Sequence, residues 1–176
     1  MAFDTLLHMN CHSKNNFARG LAANLLEKLY GCEVRCDDID PSVRFAHHAR
    51  GCTIVAAKLC ANVVIFQNVT IGTNMKYNKT SQKWENVGAP ILAENVIVSD
   101  GAKILGPIVV GRDTVVAAGA IVTRDVPPGS VAFGVNQYRQ KDPNYDLVFN
   151  AVMVQPREII ECNKALIEKF EKARGK

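Results

Sequence analysis

No run of about 18 to 20 apolar residues, the length a bilayer-crossing helix needs, occurs in this chain of 176 residues. The N-terminus lacks a secretory leader pattern, so a soluble, cytoplasmic protein with no membrane partner is expected. A compact cysteine framework is missing too. The six cysteines, at 11, 32, 36, 52, 60 and 162, are scattered as reduced cytosolic thiols would be. His8, Cys11 and His12, followed by Cys32 and Cys36, fall short of the paired C-x2-C zinc pattern, and no metal is expected. Charge of one sign is also scarce. Lys and Arg number 21 against 17 Asp and Glu, for a net charge of +4. Without a clustered basic patch or stacking aromatics (one tryptophan, 7% aromatic), a nucleic-acid partner is not expected. The mild positive balance suits a polyanionic small ligand.

What is abundant is a six-residue period. Thr53, Leu59, Ile65, Ile71, then Leu92, Val98, Ile104, Val110, Val116 and Val122 recur at every sixth position. Four residues beyond each, Ile71 at the interruption excepted, stands a small or aliphatic residue: Ala57, Val63, Val69, then Val96, Ala102, Ile108, Thr114, Ala120 and Val126. Six fits neither the helical period nor plain strand alternation. A fixed repeat marks a solenoid, and hexapeptides mark a parallel β-helix in which about three short strands close one coil. One coil cannot bury its apolar face alone; neighbours above and below complete the core. Gly72, Asn95, Asp100-Gly101, Gly106, Gly111, Asp113, Gly119 and Asp125 supply residue types that tolerate tight bends.

The end coils expose unpaired edges that need covering. Ser13 to Leu29 reads as a helix with Phe17, Leu21, Leu25 and Leu29 on one stripe, capped by Ser13 and ended by Gly31. Pro156 opens a second helix carrying Ile159, Leu166, Phe170 and Ala173, with Glu158 and Glu161 early and Lys172, Arg174 and Lys176 late. Both are expected to serve as caps and oligomer surfaces. The organisation is thus a helical cap over 1–36, a β-helix over 37–135 and a C-terminal extension with its helix over 136–176. Residues 73–86 interrupt the solenoid. From Ile71 to Leu92 is 21 positions, read as one coil plus three, and this polar, cationic loop holds Met75, Tyr77 and Trp84. Loops on rigid scaffolds carry function disproportionately, so Trp84 is a candidate substrate contact.

The stretches Gln67-Asn-Val-Thr-Ile-Gly72, Asp100-Gly-Ala-Lys-Ile-Leu-Gly106, Val116-Ala-Ala-Gly-Ala-Ile-Val122 and Asp125-Val-Pro-Pro128 resemble the serine O-acetyltransferases, a branch of the hexapeptide acyltransferases. The resemblance covers residues 37–135. It implies a left-handed β-helix, an exception to the usual right-handed crossover. It also implies acetyl transfer from acetyl-CoA to a small hydroxyl compound, serine first, in cysteine biosynthesis. Homotrimers, sometimes paired as a dimer of trimers, are implied as well, with active sites between neighbouring β-helices.

Such a transfer needs one general base. The thioester is already activated, so a histidine that takes the hydroxyl proton as attack proceeds is sufficient, worth roughly 10² to 10⁴ in rate. His47 and His48 stand just before the first regular hexapeptide. The family's letters after its histidine match His48-Ala-Arg-Gly51, whereas the family spacing counted back from Gln67 lands on His47, and both are kept. An orienting carboxylate would fix the tautomer. The family's Asp-Ile-His-Pro reads Asp38-Ile-Asp-Pro41 here, one hexapeptide too near; Glu33, fifteen residues before His48, is the second candidate. For either acid, a turn or edge role is the competing reading.

Acetyl-CoA in this family runs along a groove and is gripped by backbone at small residues. The matching positions are Gly72, Asp100, Ala118 and Gly119, with Arg124 a candidate for the phosphates by charge. Two departures concern the acceptor: the family's Arg-His-Pro reads Gly88-Ala89-Pro90, and the N-terminal helical domain is replaced by about 36 residues. A third, the ending Gly175-Lys176 where family members that dock into a sulfhydrylase partner end in isoleucine, leaves that partner complex open. Acceptors other than serine, a sugar or another small hydroxyl or amine compound, therefore stay open, as does a catalytically silent or zinc-bearing scaffold.

Overall fold

The computed structural model describes residues 2–36, 38–73, 75–144 and 156–174. Gly175, Lys176 and Asp37, where the β-helix was expected to begin, lie outside these. Two helices, α1 (Phe3–His12) and α2 (Asn16–Tyr30), precede β1 (Glu33–Arg35), β2 (Arg44–Phe45) and a turn over Ala46–Ala49. Short strands follow: β3 (Thr53–Val55), β4 (Lys58–Leu59), β5 (Val64–Ile65) and β6 (Thr70–Gly72). A hairpin of β7 (Met75–Asn78) and β8 (Lys83–Asn86) interrupts them. The coils resume with β9 (Ile91–Leu92), β10 (Ile97–Val98), β11 (Lys103–Leu105), β12 (Val109–Val110), β13 (Val115–Val116) and β14 (Ile121–Val122). β15 (Ser130–Phe133), β16 (Gln137–Gln140) and α3 (Pro156–Arg174) complete the order.

The strands stack into three parallel faces. The first holds β1-β3-β6-β11-β14, the second β4-β9-β12, and the third β2-β5-β10-β13-β15 with β16 antiparallel on its edge. The chain visits third, first and second face in rotation, so each hexapeptide contributes one side of a three-sided coil. Leu59, Leu92 and Val110 align on one face, Ile65, Val98 and Val116 on another, Ile71, Ile104 and Val122 on the last. These nine side chains are 0–2% exposed and form the axis of the core. Fully burying an aliphatic side chain contributes about 1.5–3 kcal/mol, so the stack itself holds the coils together. The bends are chemically specific. Asn62, Asn95 and Asp113 sit in the left-handed region and bond in a ladder, Asn62 Nδ2 to Asn95 Oδ1 (3.1 Å) and Asn95 Nδ2 to Asp113 Oδ1 (2.9 Å).

The expected phase fails at its first member. Thr53 is exposed, and Ile54 takes the interior place, pairing with Ile71 17 residues on rather than 18. The side from Ile54 to Leu59 is one residue short, and Ala57 consequently faces out while Ala56 is buried. The loop also counts differently. Ile71 and Leu92 lie on adjacent faces, and Leu59 pairs with Leu92 33 residues on where the next coil advances 18. The hairpin is therefore a 15-residue insertion into a single side, not a coil plus three.

The N-terminal cap is a helical pair rather than one helix. Asn15, not Ser13, caps α2, its Oδ1 accepting from the backbone of Phe17 and Ala18, while Gly31 ends it in the left-handed conformation as expected. Ala22 and Leu26 face inward. The expected stripe turns outward, with Phe17, Leu21 and Leu29 exposed. α3 spans the expected residues, and Ile159, Leu166 and Phe170 are likewise exposed, so this helix does not cap the solenoid within the chain. Among the described residues no helix is long and apolar enough to cross a membrane.

Candidate active site

The corner between the third and first faces carries the histidines. β2 runs into Ala46–Ala49, and His47, His48 and Ala49 all adopt positive φ (52°, 56° and 54°). Left-handed backbone costs roughly 1–2 kcal/mol per non-glycine residue, so three in succession persist only where surrounding packing imposes them. That packing is identifiable. Ala49 is wholly buried, Cys52 N donates to Ala49 O (2.9 Å), and Gly51 lies against Asn68, where a Cβ would collide with Oδ1. Both histidines point outward and are exposed.

Below them the same corner repeats coil by coil. Asn68 N donates to Arg50 O (2.9 Å), Gly101 N to Gln67 O (3.2 Å) and Gly119 N to Asp100 O (2.9 Å). Asn68 Nδ2 also donates to Asp100 Oδ1 at 3.0 Å. The histidine pair, Asp100, Ala118 and Gly119 thus form one column along one edge of the first face. Ala118 and Gly119 are exposed, and with almost no side chain they leave their backbone open to a ligand. Gly72 and Arg124 lie at the opposite edge of that face, at or just past the ends of β6 and β14. Gly72 lines a cavity of about 530 Å³ with Thr73, Lys76, Val87 and Leu105. Thr73 Oγ1, buried there without a partner, marks this wall as one able to bond a ligand.

Asp38 is not with the histidines. It lies at the corner between the first and second faces, where Lys58 Nζ donates to its Oδ2 at 3.0 Å. That bond raises the Lys58 amine above its ordinary value. The missing hexapeptide moved this acid by one side of the triangle. Glu33 starts β1 at the histidine corner, its N–H donating to Cys52 O (2.9 Å), but its carboxylate pairs with Arg35 at 2.6 Å. Trp84 is exposed on β8, edge-to-face with Tyr77 at 5.3 Å.

Some site residues were not legible. The His48 ring contacts Phe3 (5.5 Å between centroids) and Tyr30 (5.6 Å), from α1 and the end of α2. Gln67 Oε1 is buried at the same corner without a partner. Nothing in the hexapeptide pattern signals either. The two histidine counts differ by one residue, and counting back from Gln67 crosses the side between Ile54 and Leu59 that is itself one residue short. Among the described residues no three His, Cys, Asp or Glu converge as a metal would need.

Three faces of stacked hexapeptides define the class: a hexapeptide-repeat β-solenoid bearing exposed imidazoles on one corner. Within it, the chain is serine-acetyltransferase-like. It is 33% identical over 116 residues to a serine acetyltransferase of Mycobacterium tuberculosis, covering 65% of this chain and 47% of that protein. It is 35% identical over 91 residues to the serine acetyltransferase of Helicobacter pylori strain 26695, covering 51% and 49%. A serine acetyltransferase solved in complex with cysteine superposes with a TM-score of 0.57 at 25% identity, covering 80% of this chain and 56% of that one. The Neisseria gonorrhoeae enzyme, at 24% identity and a TM-score of 0.52, shares the fold. The chain spans about half the length of the curated relatives it matches. No protein-family model matches it.

Proposed function

We propose that the chain is an acetyl-CoA-dependent O-acetyltransferase, with L-serine the leading acceptor and O-acetylserine and CoA the products. The observation that carries this is the column of His48, Asp100, Ala118 and Gly119 on one corner. An imidazole stands there at the head of a strip of open backbone. Likeness to serine acetyltransferases supports it.

His48 is the general base in this reading, because the count that favoured His47 crosses a shortened side. Its neutral ring nitrogen accepts the acceptor's hydroxyl proton as the oxygen attacks the thioester carbonyl. The tetrahedral intermediate collapses, the C–S bond breaks, and the imidazolium returns its proton to the CoA thiolate. Acetyl-CoA lies between the column of one copy and the edge bearing Gly72 and Arg124 of the next, in a left-handed β-helical homotrimer working in the cytoplasm. Glu33 replaces Asp38 as the acid near the base, and Trp84 reaches toward the acceptor from the hairpin.

A second reading keeps the chemistry and changes the acceptor to a sugar or another small hydroxyl or amine compound. Gly88-Ala89-Pro90, where the resemblance implies an arginine and a histidine, favours it. Thiol release from acetyl-CoA, followed over serine, homoserine and a sugar panel, separates the two. His48→Ala is expected to lower turnover by 10² or more, and His47→Ala to stay within a few-fold. Equal activity of both variants with the wild type would remove the general-base assignment.

A further inference from the structure

Both acids considered as orienting groups for the base have other partners: Asp38, at a different corner, is held by Lys58, and Glu33 by Arg35. The His48 imidazole has two aromatic neighbours. Phe3 approaches at 5.5 Å with planes inclined 56°, and Tyr30 at 5.6 Å with 53°. Phe3 and Tyr30 meet edge-to-face at 5.2 Å, and Phe45 abuts Phe3 at 6.2 Å, so α1, the last turn of α2 and β2 close one ring cluster around the imidazole. Phe3 is 4% exposed and belongs to the continuous core. A backbone bond fastens the same junction: Gly51 N donates to Gly31 O at 3.0 Å, tying the residue after Tyr30 to the histidine turn.

We propose that Phe3 and Tyr30 are positioning residues for His48, setting its rotamer. The inference rests on the function proposed above and extends it, since it makes the N-terminal helical pair part of the active centre. The physical basis is steric: a ring packed beside two others has fewer rotamers left to it. An exposed imidazole on a strained turn would otherwise sample orientations that miss the acceptor.

The test uses the full chain. The chain has four histidines, so NMR ring signals of His48 are assigned by their loss in His48→Ala. In the wild type they are expected to be shifted upfield by the neighbouring rings. Tyr30→Leu is expected to move them toward free-histidine positions and to lower kcat about tenfold, leaving the KM for acetyl-CoA within about twofold. Tyr30→Phe, which keeps the ring, should restore both. Unshifted His48 signals in the wild type, or a Tyr30→Leu variant with unchanged kcat, would overturn the assignment. If His48→Ala itself stays active, it is the general-base reading that fails, while the NMR arm still reports whether the rings hold the imidazole.

Discussion

A methyl group on Gly51 would be driven into the Asn68 side chain, at a backbone φ of +71°. Gly51→Ala therefore combines a clash with a conformational cost of about 1–2 kcal/mol. Because Gly51 follows the histidine turn directly, the variant should lose urea stability by at least that much and lose turnover with it. Cys32 makes a second prediction. Burial, reinforced by the nearby Cys52, pushes its thiol from 9.0 up to about 11. The folded chain holds this proton longer than the unfolded one, so the contribution is intact below pH 9 and lost as pH rises toward 11. Melting temperature should be flat up to pH 9 and fall above it, and Cys32→Ala should shallow that fall. At this scale the histidines were legible because imidazoles outside the helices are few. The ground for proposing His48 over His47 was not, since it is a one-residue shortening that only the pairing of Ile54 with Ile71 reveals.

Among the elements, the hexapeptides were readable because stacked aliphatics repeat in phase, and the insertion was readable as a loss of that phase. Its length was not, because a six-residue period cannot tell which face Leu92 occupies. The hairpin makes 15 residues of chain removable in principle. Joining Gly72 to Gly88 restores the 18-residue advance from Leu59 to the strand below it. Such a deletion is expected to melt cooperatively, with stability changed by about 1 kcal/mol or less, since closing a loop of this length costs little entropy. It should also lose acetyl transfer if Trp84 and the cavity wall of Thr73 and Lys76 serve the site. Loss of folding would mean that the hairpin is structural. α1 was illegible for another reason. It has no side-chain N-cap, and ten residues are too few to be helical alone, so the helix exists through Phe3, Leu6 and Cys11 packed in the core. The α2 stripe was legible, but the face that meets the core was not, because Ala22 and Leu26 form a second apolar face that the larger residues obscure.

For the whole molecule, the distribution of the candidate residues bears on assembly. His48, Asp100, Ala118 and Gly119 line one edge of the first face, and Gly72 and Arg124 the other, so in the proposed function one copy would offer two half-sites that do not meet. In the proposed homotrimer a head-to-tail ring would join these unlike edges across three copies. Phe17 (80% exposed) and Leu166 (65%) are apolar surface of the kind that marks contacts between chains. Sedimentation should therefore give about three times the 19.3 kDa chain mass. Complementation provides the sharper test. His48→Ala removes one half-site. Gly72→Trp obstructs the other and disturbs little in its own chain, since a Cβ at Gly72 has nothing within 4 Å. Each variant alone should be nearly inactive. After unfolding and refolding together in equal amounts, about a quarter of the seams would pair an intact column with an intact edge, and activity should recover to about that fraction. No recovery, with mixed trimers present by mass, would place the whole site within one copy and contradict a groove shared between neighbours.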